Sequence, residues 1–232
     1  MKAKRRLKIF YYSVRIGTIL LLITSILGIF IDADDADISR SIFVMIQALV
    51  LLLLSFGPSF IEKKFKLEIP DFMESIFLVF IMAALLLGEI AEFFVRIAWW
   101  DDMLHTTSGF LIAIVGFSII NSANKDPNKK LTLNPMFISL FVFCFSMTVA
   151  IIWEFLEYAI DNLATSSNML RTVDSITLVP HVGLLAIKDT MHDLFLAAIS
   201  SIIISTIGYF DTKKNLNIFR KWIIAPSEKD LD

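Results

Sequence analysis

The chain has 232 residues, of which 56% are hydrophobic and 19% are charged, and its formal net charge is −2. Its mean hydropathy of +0.73 comes from long uncharged runs, which would form more all-apolar helices than a soluble core of this length can bury. The composition excludes a water-soluble globular protein, a disordered chain and a nucleic-acid binder. It indicates an all-α polytopic membrane protein whose first partner is the lipid bilayer.

Six apolar segments are long enough to cross a bilayer, whose hydrocarbon core of about 30 Å needs roughly 20 helical residues. They are continuous runs without strand-like alternation, and in chain order they span about residues 9–31, 42–61, 72–95, 103–120, 135–160 and 189–210. We expect a bundle of six helices that forms a single membrane domain over residues 1–232. The first run is longer than the apolar part of a typical signal peptide, so we expect it to be retained.

The positions of lysine and arginine predict the orientation of the spans. Sixteen of them lie in the N-terminus, the 62–66 and 121–130 loops and the C-terminal tail, whereas the opposite side holds four: Arg40, Arg96, Arg171 and Lys188. Because basic loops stay in the cytoplasm, both termini are predicted to be cytoplasmic. Arg15 lies inside the first span and is expected to snorkel inward or to cap the bundle.

Ionisable residues collect at the predicted external ends of the last four spans. Within each span they are three or four residues apart, so that they share a helix face. The central set is Asp101, His105, Glu154, Glu157, Asp189 and Asp193, and the secondary set is Glu89, Glu92, Asp102 and His192. Spans three and four, and spans five and six, are joined at this same end, which allows the sets to converge.

Carboxylates in apolar surroundings are costly unless they pair, take up a proton or bind a cation. Together with imidazoles they suit a divalent metal such as zinc, manganese or iron, and di-metal helical bundles draw such ligands from four helices. The predicted metal ligands are His105, Glu154, Glu157 and Asp189. An alternative without a site is that the acids snorkel to the interface, or that Asp101, Asp102 and Asp189 cap helix N-termini.

Three functions remain open. The first is a cation or proton site in a small carrier or stress-response membrane protein. The second is a metal-dependent membrane enzyme that acts on a lipid or envelope precursor at the outer leaflet. The third is an interhelical structural lock. The sequence contains no His-Glu-x-x-His, no Gly-x-Ser-x-Gly and no P-loop, which disfavours the familiar hydrolases and ATPases.

The connection at about 161–188 is the longest in the chain. It is polar at 164–174 and apolar at 176–187, so its second part is expected to lie in the membrane interface or to re-enter the bilayer.

Three short signatures occur in order on the last three spans: Trp100-Asp101-x-x-x-His105, Trp153-Glu154-x-x-Glu157 and Asp189-Thr190-x-x-Asp193. This pattern resembles the YjdF-like family of bacterial inner-membrane proteins, with a looser likeness to VanZ-like membrane proteins. The resemblance covers roughly Glu89–Gly208 and implies a multi-pass protein of the bacterial plasma membrane, in a family without an established activity. It supports the six central positions and does not extend to His192.

Overall fold

A computed structural model describes residues 2–31, 34–124, 133–163, 168–174 and 177–226 of the protein. The three lysines of the predicted cytoplasmic loop at 125–130 lie outside these ranges. The helices are α1 (Lys2–Ile31), α2 (Asp35–Leu54), α3 (Gly57–Phe65), α4 (Asp71–Ile81) continued by a π-helix (Met82–Ile90), α5 (Phe93–Arg96), α6 (Trp100–Asn124), α7 (Pro135–Leu163) and α8 (Lys188–Lys214). Short 3₁₀ turns occupy Gly183–Ile187 and Phe219–Lys221.

Six helical segments of the described chain are long and apolar enough to span a membrane, which confirms the predicted all-α membrane architecture. They are Arg6–Ile31, Asp35–Phe65, Asp71–Ile90, Trp100–Ile120, Pro135–Leu163 and Gly183–Lys214.

The predicted end of the third span is wrong. The helix ends at Ile90 instead of near Val95, because Glu92 adopts a left-handed backbone with φ of 62° and the short helix α5 starts anew after it. Glu89 and Glu92 therefore do not share a helix face, and that prediction is wrong too. The last turns before this break are a π-helix, a local distortion that is frequent at functional sites.

The second span is interrupted where the sequence has Gly57-Pro58. Helix α2 ends at Leu54 and α3 begins at Gly57 with the proline in its first turn. Arg15 reaches this break: its Nη2 donates to the Ser55 carbonyl at 2.7 Å and its Nε donates to the Ser55 hydroxyl at 3.1 Å. A cation at the C-terminal end of a helix satisfies carbonyls that lack intrahelical partners. Arg15 thus caps α2.

The chain divides into two compact units, Met1–Trp100 with Ala225–Asp232 and Asp101–Ile224. The core of the first unit is a cluster of apolar side chains from α1, α2 and α4: Tyr11, Val14, Leu51, Leu78 and Ile81. A two-residue antiparallel ladder in this unit pairs Leu67–Glu68 with Ala225–Pro226. The predicted single domain over the whole chain stays a prediction.

In the second unit, α6, α7 and α8 pack through small residues. The Ser146 hydroxyl of α7 donates to the Gly109 carbonyl of α6 at 3.2 Å and accepts from the Ser201 hydroxyl of α8 at 2.7 Å. A Cβ at Gly109 would overlap the Ser200 hydroxyl and lie 3.1 Å from the Ala197 carbonyl, so only glycine allows α6 and α8 to approach this closely. Such small-residue contacts are typical of membrane helices.

The same packing positions the ionisable residues. His105 lies four residues before Gly109 on α6, and Asp193 lies four residues before Ala197 on α8, so both sit one turn from the place where Gly109 meets α8. On α7, Glu154 lies eight residues after Ser146, on the same buried face. The three helices therefore place polar side chains together at one end of their interface.

Candidate functional site

The centre of the site is formed by Asp101, His105 and Asp193. The His105 Nε2 atom lies 3.5 Å from the Asp101 Oδ1 atom and 3.9 Å from the Asp193 Oδ2 atom. One ligand atom from each residue lies within 4.8 Å of the other two. All three residues are buried, with exposed fractions of 8%, 8% and 2%. All three belong to the six central residues predicted from the sequence, and the other three, Glu154, Glu157 and Asp189, lie close enough to interact electrostatically with His105.

These separations are longer than ordinary hydrogen bonds, in which a nitrogen donor lies about 2.7–3.2 Å from oxygen. They are close to the spacing of atoms that share a metal ion, because two ligands each about 2.1 Å from a tetrahedral ion are about 3.4 Å apart. The Nε2 atom of His105 faces both aspartates at once. The triad therefore has the donor types and the spacing of a three-ligand cation site.

Two buried carboxylate oxygens have no hydrogen-bond partner within the described part of the chain, Asp193 Oδ1 and Glu154 Oε2. A buried carboxylate oxygen without a donor is destabilising, and such orphans are rare in folded proteins. Both oxygens therefore point to a proton or a cation as the missing partner.

Arg171 is a residue of the site that the sequence interpretation missed. Its Nη2 lies 3.3 Å from Asp101 Oδ2 and its Nη1 lies 3.3 Å from Asp189 Oδ1, so it bridges the first turns of α6 and α8. The Asp189 carboxylate thus binds arginine, while the N-cap of α8 is Ile187 and has no side-chain cap. The only sequence signal was a lone arginine in the longest connection, on a side with few other basic residues.

The loop that carries Arg171 is fastened to the end of α7. The Asp161 carboxylate accepts hydrogen bonds from the backbone N–H groups of Met169 and Leu170 at 2.8 and 2.9 Å. Asn168 closes the turn by accepting from the Val173 N–H at 3.0 Å and donating to the Val173 carbonyl at 2.7 Å. These hydrogen bonds hold the backbone on both sides of Arg171, and its two ion pairs orient the guanidinium.

Glu157 is buried on the face of α7 that points to the site. Its Oε1 accepts a hydrogen bond of 2.8 Å from the indole of Trp153, which holds the carboxylate in place. Glu157 is near enough to His105 to interact with it electrostatically, as are Asp101 and Asp193. Trp153 therefore positions a carboxyl group of the site.

Asp102 and His192 form a more exposed pair beside the central triad. The His192 Nδ1 atom lies 3.5 Å from the Asp102 Oδ1 atom. Together with Asp193 they make a second set of three ligand atoms that lie within 4.8 Å of one another.

Glu89 and Glu92 belong to the first unit. Glu92 forms ion pairs with Arg96 at 2.9 Å and with Arg40 at 3.2 Å, and Arg40 also donates to the Ile90 carbonyl at 2.7 Å. The hydrogen bond from Arg96 and the charge of Arg40 lower the pKa of the Glu92 carboxyl from its ordinary value. The convergence of these two glutamates with the other acids stays a prediction.

The predicted metal ligands are only partly the ones that the geometry favours. His105 belongs to the central triad, whereas Glu154, Glu157 and Asp189 belong to neither three-ligand set among the residues described. The triad and the residues around it bring five buried or half-buried carboxyl groups close to Arg171 or His105; they are those of Asp101, Glu154, Glu157, Asp189 and Asp193. The site can therefore attract and hold positive charge.

No curated protein and no solved structure matches the chain. A family model described as "Predicted membrane protein (DUF2238)" matches residues 14–214, which is most of the chain. YjdF-like proteins are a DUF2238 family, so the resemblance carried by the three short signatures is confirmed at the family level, and the likeness to VanZ-like proteins stays a prediction. The chain belongs to the DUF2238 family of predicted membrane proteins.

Proposed function

We propose that this integral membrane protein binds a divalent cation at Asp101, His105 and Asp193. A first-row transition ion such as Mn²⁺ or Zn²⁺ fits the donor set, because imidazole nitrogen and carboxylate oxygen together favour such ions over Ca²⁺ or Mg²⁺. Glu154 and Glu157 interact electrostatically with His105 and place further carboxyl groups beside this set.

The single observation that carries the proposal is the geometry at Asp193. Its side chain is 2% exposed, one oxygen lies 3.9 Å from His105 Nε2, and the other has no hydrogen-bond partner in the described residues. A structural lock would pair these atoms directly, since the cost of burial is recovered only through good hydrogen bonds. The observed spacing leaves room for an ion between them.

Arg171 has a distinct role in this proposal. In the absence of an ion, its guanidinium supplies positive charge to Asp101 and Asp189 at the edge of the site. Among the described residues Arg171 forms no ion pair with Asp193 or Glu154, so while His105 is neutral these two carboxylates need an ion or a proton to balance their charge. Arg171 therefore lowers the affinity of the site for a divalent cation without occupying the position of that cation.

The location of the site follows the orientation predicted from the basic loops, at the outer face of a bacterial plasma membrane. The connection before α8 supports a position at the membrane interface, because Leu178, Val179, Val182 and Leu184 are all more than half exposed. Exposed apolar side chains beside a span are expected to lie in the interfacial layer.

Elemental analysis tests the proposal. The detergent-purified full chain is equilibrated with Mn²⁺ or Zn²⁺, desalted and assayed for metal per chain. Wild type and the control Asp37→Asn, which alters an exposed aspartate at the start of α2, are expected to retain metal. Asp193→Asn is expected to retain none. Metal-free wild type would refute the proposal, even if the site takes up protons.

A further inference from the structure

A second potential ion position lies next to the first. Asp102, His192 and Asp193 each offer a ligand atom, and these three atoms lie within 4.8 Å of one another. The Asp102 Oδ1 to His192 Nδ1 distance of 3.5 Å equals the corresponding distance between Asp101 and His105 in the first set. Each set thus takes an aspartate from the start of α6, one histidine and Asp193.

The two sets follow from neighbouring residues on two helices. Asp101 and Asp102 are consecutive on α6, as His192 and Asp193 are on α8, and consecutive helical residues point about 100° apart. One member of each pair consequently faces inward and the other faces the periphery. The side chains of Asp102 and His192 are 40% and 52% exposed, whereas that of Asp193 is 2% exposed.

Asp193 belongs to both sets, and its carboxylate has two oxygens that could bind separate ions. Its Oδ2 atom faces His105, and its buried Oδ1 atom lacks a hydrogen-bond partner within the ranges that the structure describes. A carboxylate has two acceptor oxygens, and paired metal ions in proteins are about 3.5–4 Å apart, which one carboxylate can bridge. The Oδ1 atom therefore has the capacity to bind a second ion while Oδ2 faces His105.

We propose that a second divalent transition-metal ion binds at Asp102, His192 and Asp193, with the Asp193 carboxylate bridging the two ions. This inference rests on the proposed function, because the bridge requires the ion held by Asp101 and His105. The exposed ligands make the second position the weaker one and the one that exchanges more readily with solvent.

The experiment titrates the full-length, detergent-purified protein with MnCl₂, counts bound Mn²⁺ per chain and records its low-temperature electron paramagnetic resonance spectrum. Wild type is expected to bind two ions and to give the spectrum of a coupled pair. His192→Ala is expected to bind one ion and to give the six-line spectrum of isolated Mn²⁺. The control His181→Ala removes the remaining histidine of the chain, which lies in the loop before α8, and is expected to behave as wild type.

The outcomes separate this inference from the proposed function. One ion in wild type, unchanged by His192→Ala and lost in Asp193→Asn, would overturn the second position and leave the first. Two uncoupled ions in wild type would overturn the bridge, and the absence of bound Mn²⁺ would overturn both proposals. Asp102→Asn is a second variant of this position and is expected to retain one ion. If His192→Ala and Asp102→Asn both fold and both lose the two ions, the first ion does not bind independently of the second position, and the proposal of two separate positions is wrong.

Discussion

Replacing Asp193 by asparagine removes a buried charge and keeps the shape of the side chain. In wild type, Mn²⁺ at about one hundred times its dissociation constant should add about 2.7 kcal/mol to the free energy of unfolding. For a chain of this size, 1 kcal/mol corresponds to about 2–4 °C, so the ion should raise the melting temperature by about 5–11 °C. The assay is thermal unfolding in detergent with and without the ion.

The variant is expected to lose most of this increase. Loss of a residue that only supports a metal ligand weakens binding by about 10–100-fold, so loss of a ligand should cost at least about 100-fold. At the same Mn²⁺ concentration the variant is then half saturated and gains about 0.4 kcal/mol, or about 1–2 °C. Asp37→Asn should keep the full increase. An Asp193→Asn variant with an undiminished increase would refute the assignment of Asp193 as a ligand.

The melting temperatures of ion-free wild type and ion-free Asp193→Asn distinguish a metal site from a structural lock. Asp193 is 2% exposed and one of its oxygens lacks a partner in the described chain, so without an ion the carboxyl group either stays as a costly buried charge or takes up a proton and then resembles an asparagine side chain. Asp193→Asn without metal is therefore expected to melt at or above the temperature of wild type. A structural lock predicts the opposite, and a marked decrease in melting temperature would favour it.

Three other substitutions test the role of Arg171, the packing of α6 against α8 and the cap at the end of α2. Arg171→Gln should tighten Mn²⁺ binding about tenfold, measured by isothermal titration calorimetry, because a guanidinium about 6 Å from a divalent ion repels it by about 1.4 kcal/mol even in water-like surroundings. The control Lys188→Gln alters an exposed charge and should change affinity little; weaker binding by Arg171→Gln would contradict this role. Gly109→Ala should lower the free energy of unfolding by about 1–3 kcal/mol, because the added methyl meets α8, whereas Gly17→Ala has open space and should be neutral or stabilising. Equal melting temperatures for the two alanine variants would count against the close packing of α6 and α8. Arg15→Leu should destabilise the protein by about 1.5–3 kcal/mol through loss of its two hydrogen bonds at the end of α2, and a variant as stable as wild type would show that the cap contributes little.

The sequence predicts the helical membrane architecture because hydropathy over about 20 residues depends little on tertiary contacts. The ends of helices are less predictable, since they depend on single backbone conformations. Glu92 ends the third span through its left-handed backbone, and nothing in the hydropathy of the residues up to Val95 indicates that turn. The interruption at Gly57-Pro58 has a local cause, because proline lacks a backbone N–H and its ring clashes with the preceding helical turn.

The candidate site was predictable only in the parts that depend on local spacing along one helix. Spacing of three or four residues identifies Asp101 with His105 on one helix, because that geometry is local. The partner that α8 supplies, Asp193, depends on how closely α6 approaches α8 at Gly109, which is a tertiary property. Arg171 had no periodic pattern to reveal it, because its position comes from hydrogen bonds within an irregular loop.

The proposed site requires a metal ion between His105, Asp101 and Asp193. A crystal structure of the full chain grown with Mn²⁺, with data collected near the manganese absorption edge, tests it most directly. We expect an anomalous peak at bonding distance from His105 Nε2, Asp101 Oδ1 and Asp193 Oδ2. Ordered side chains with no anomalous density between His105, Asp101 and Asp193, whether or not manganese binds elsewhere, would contradict it.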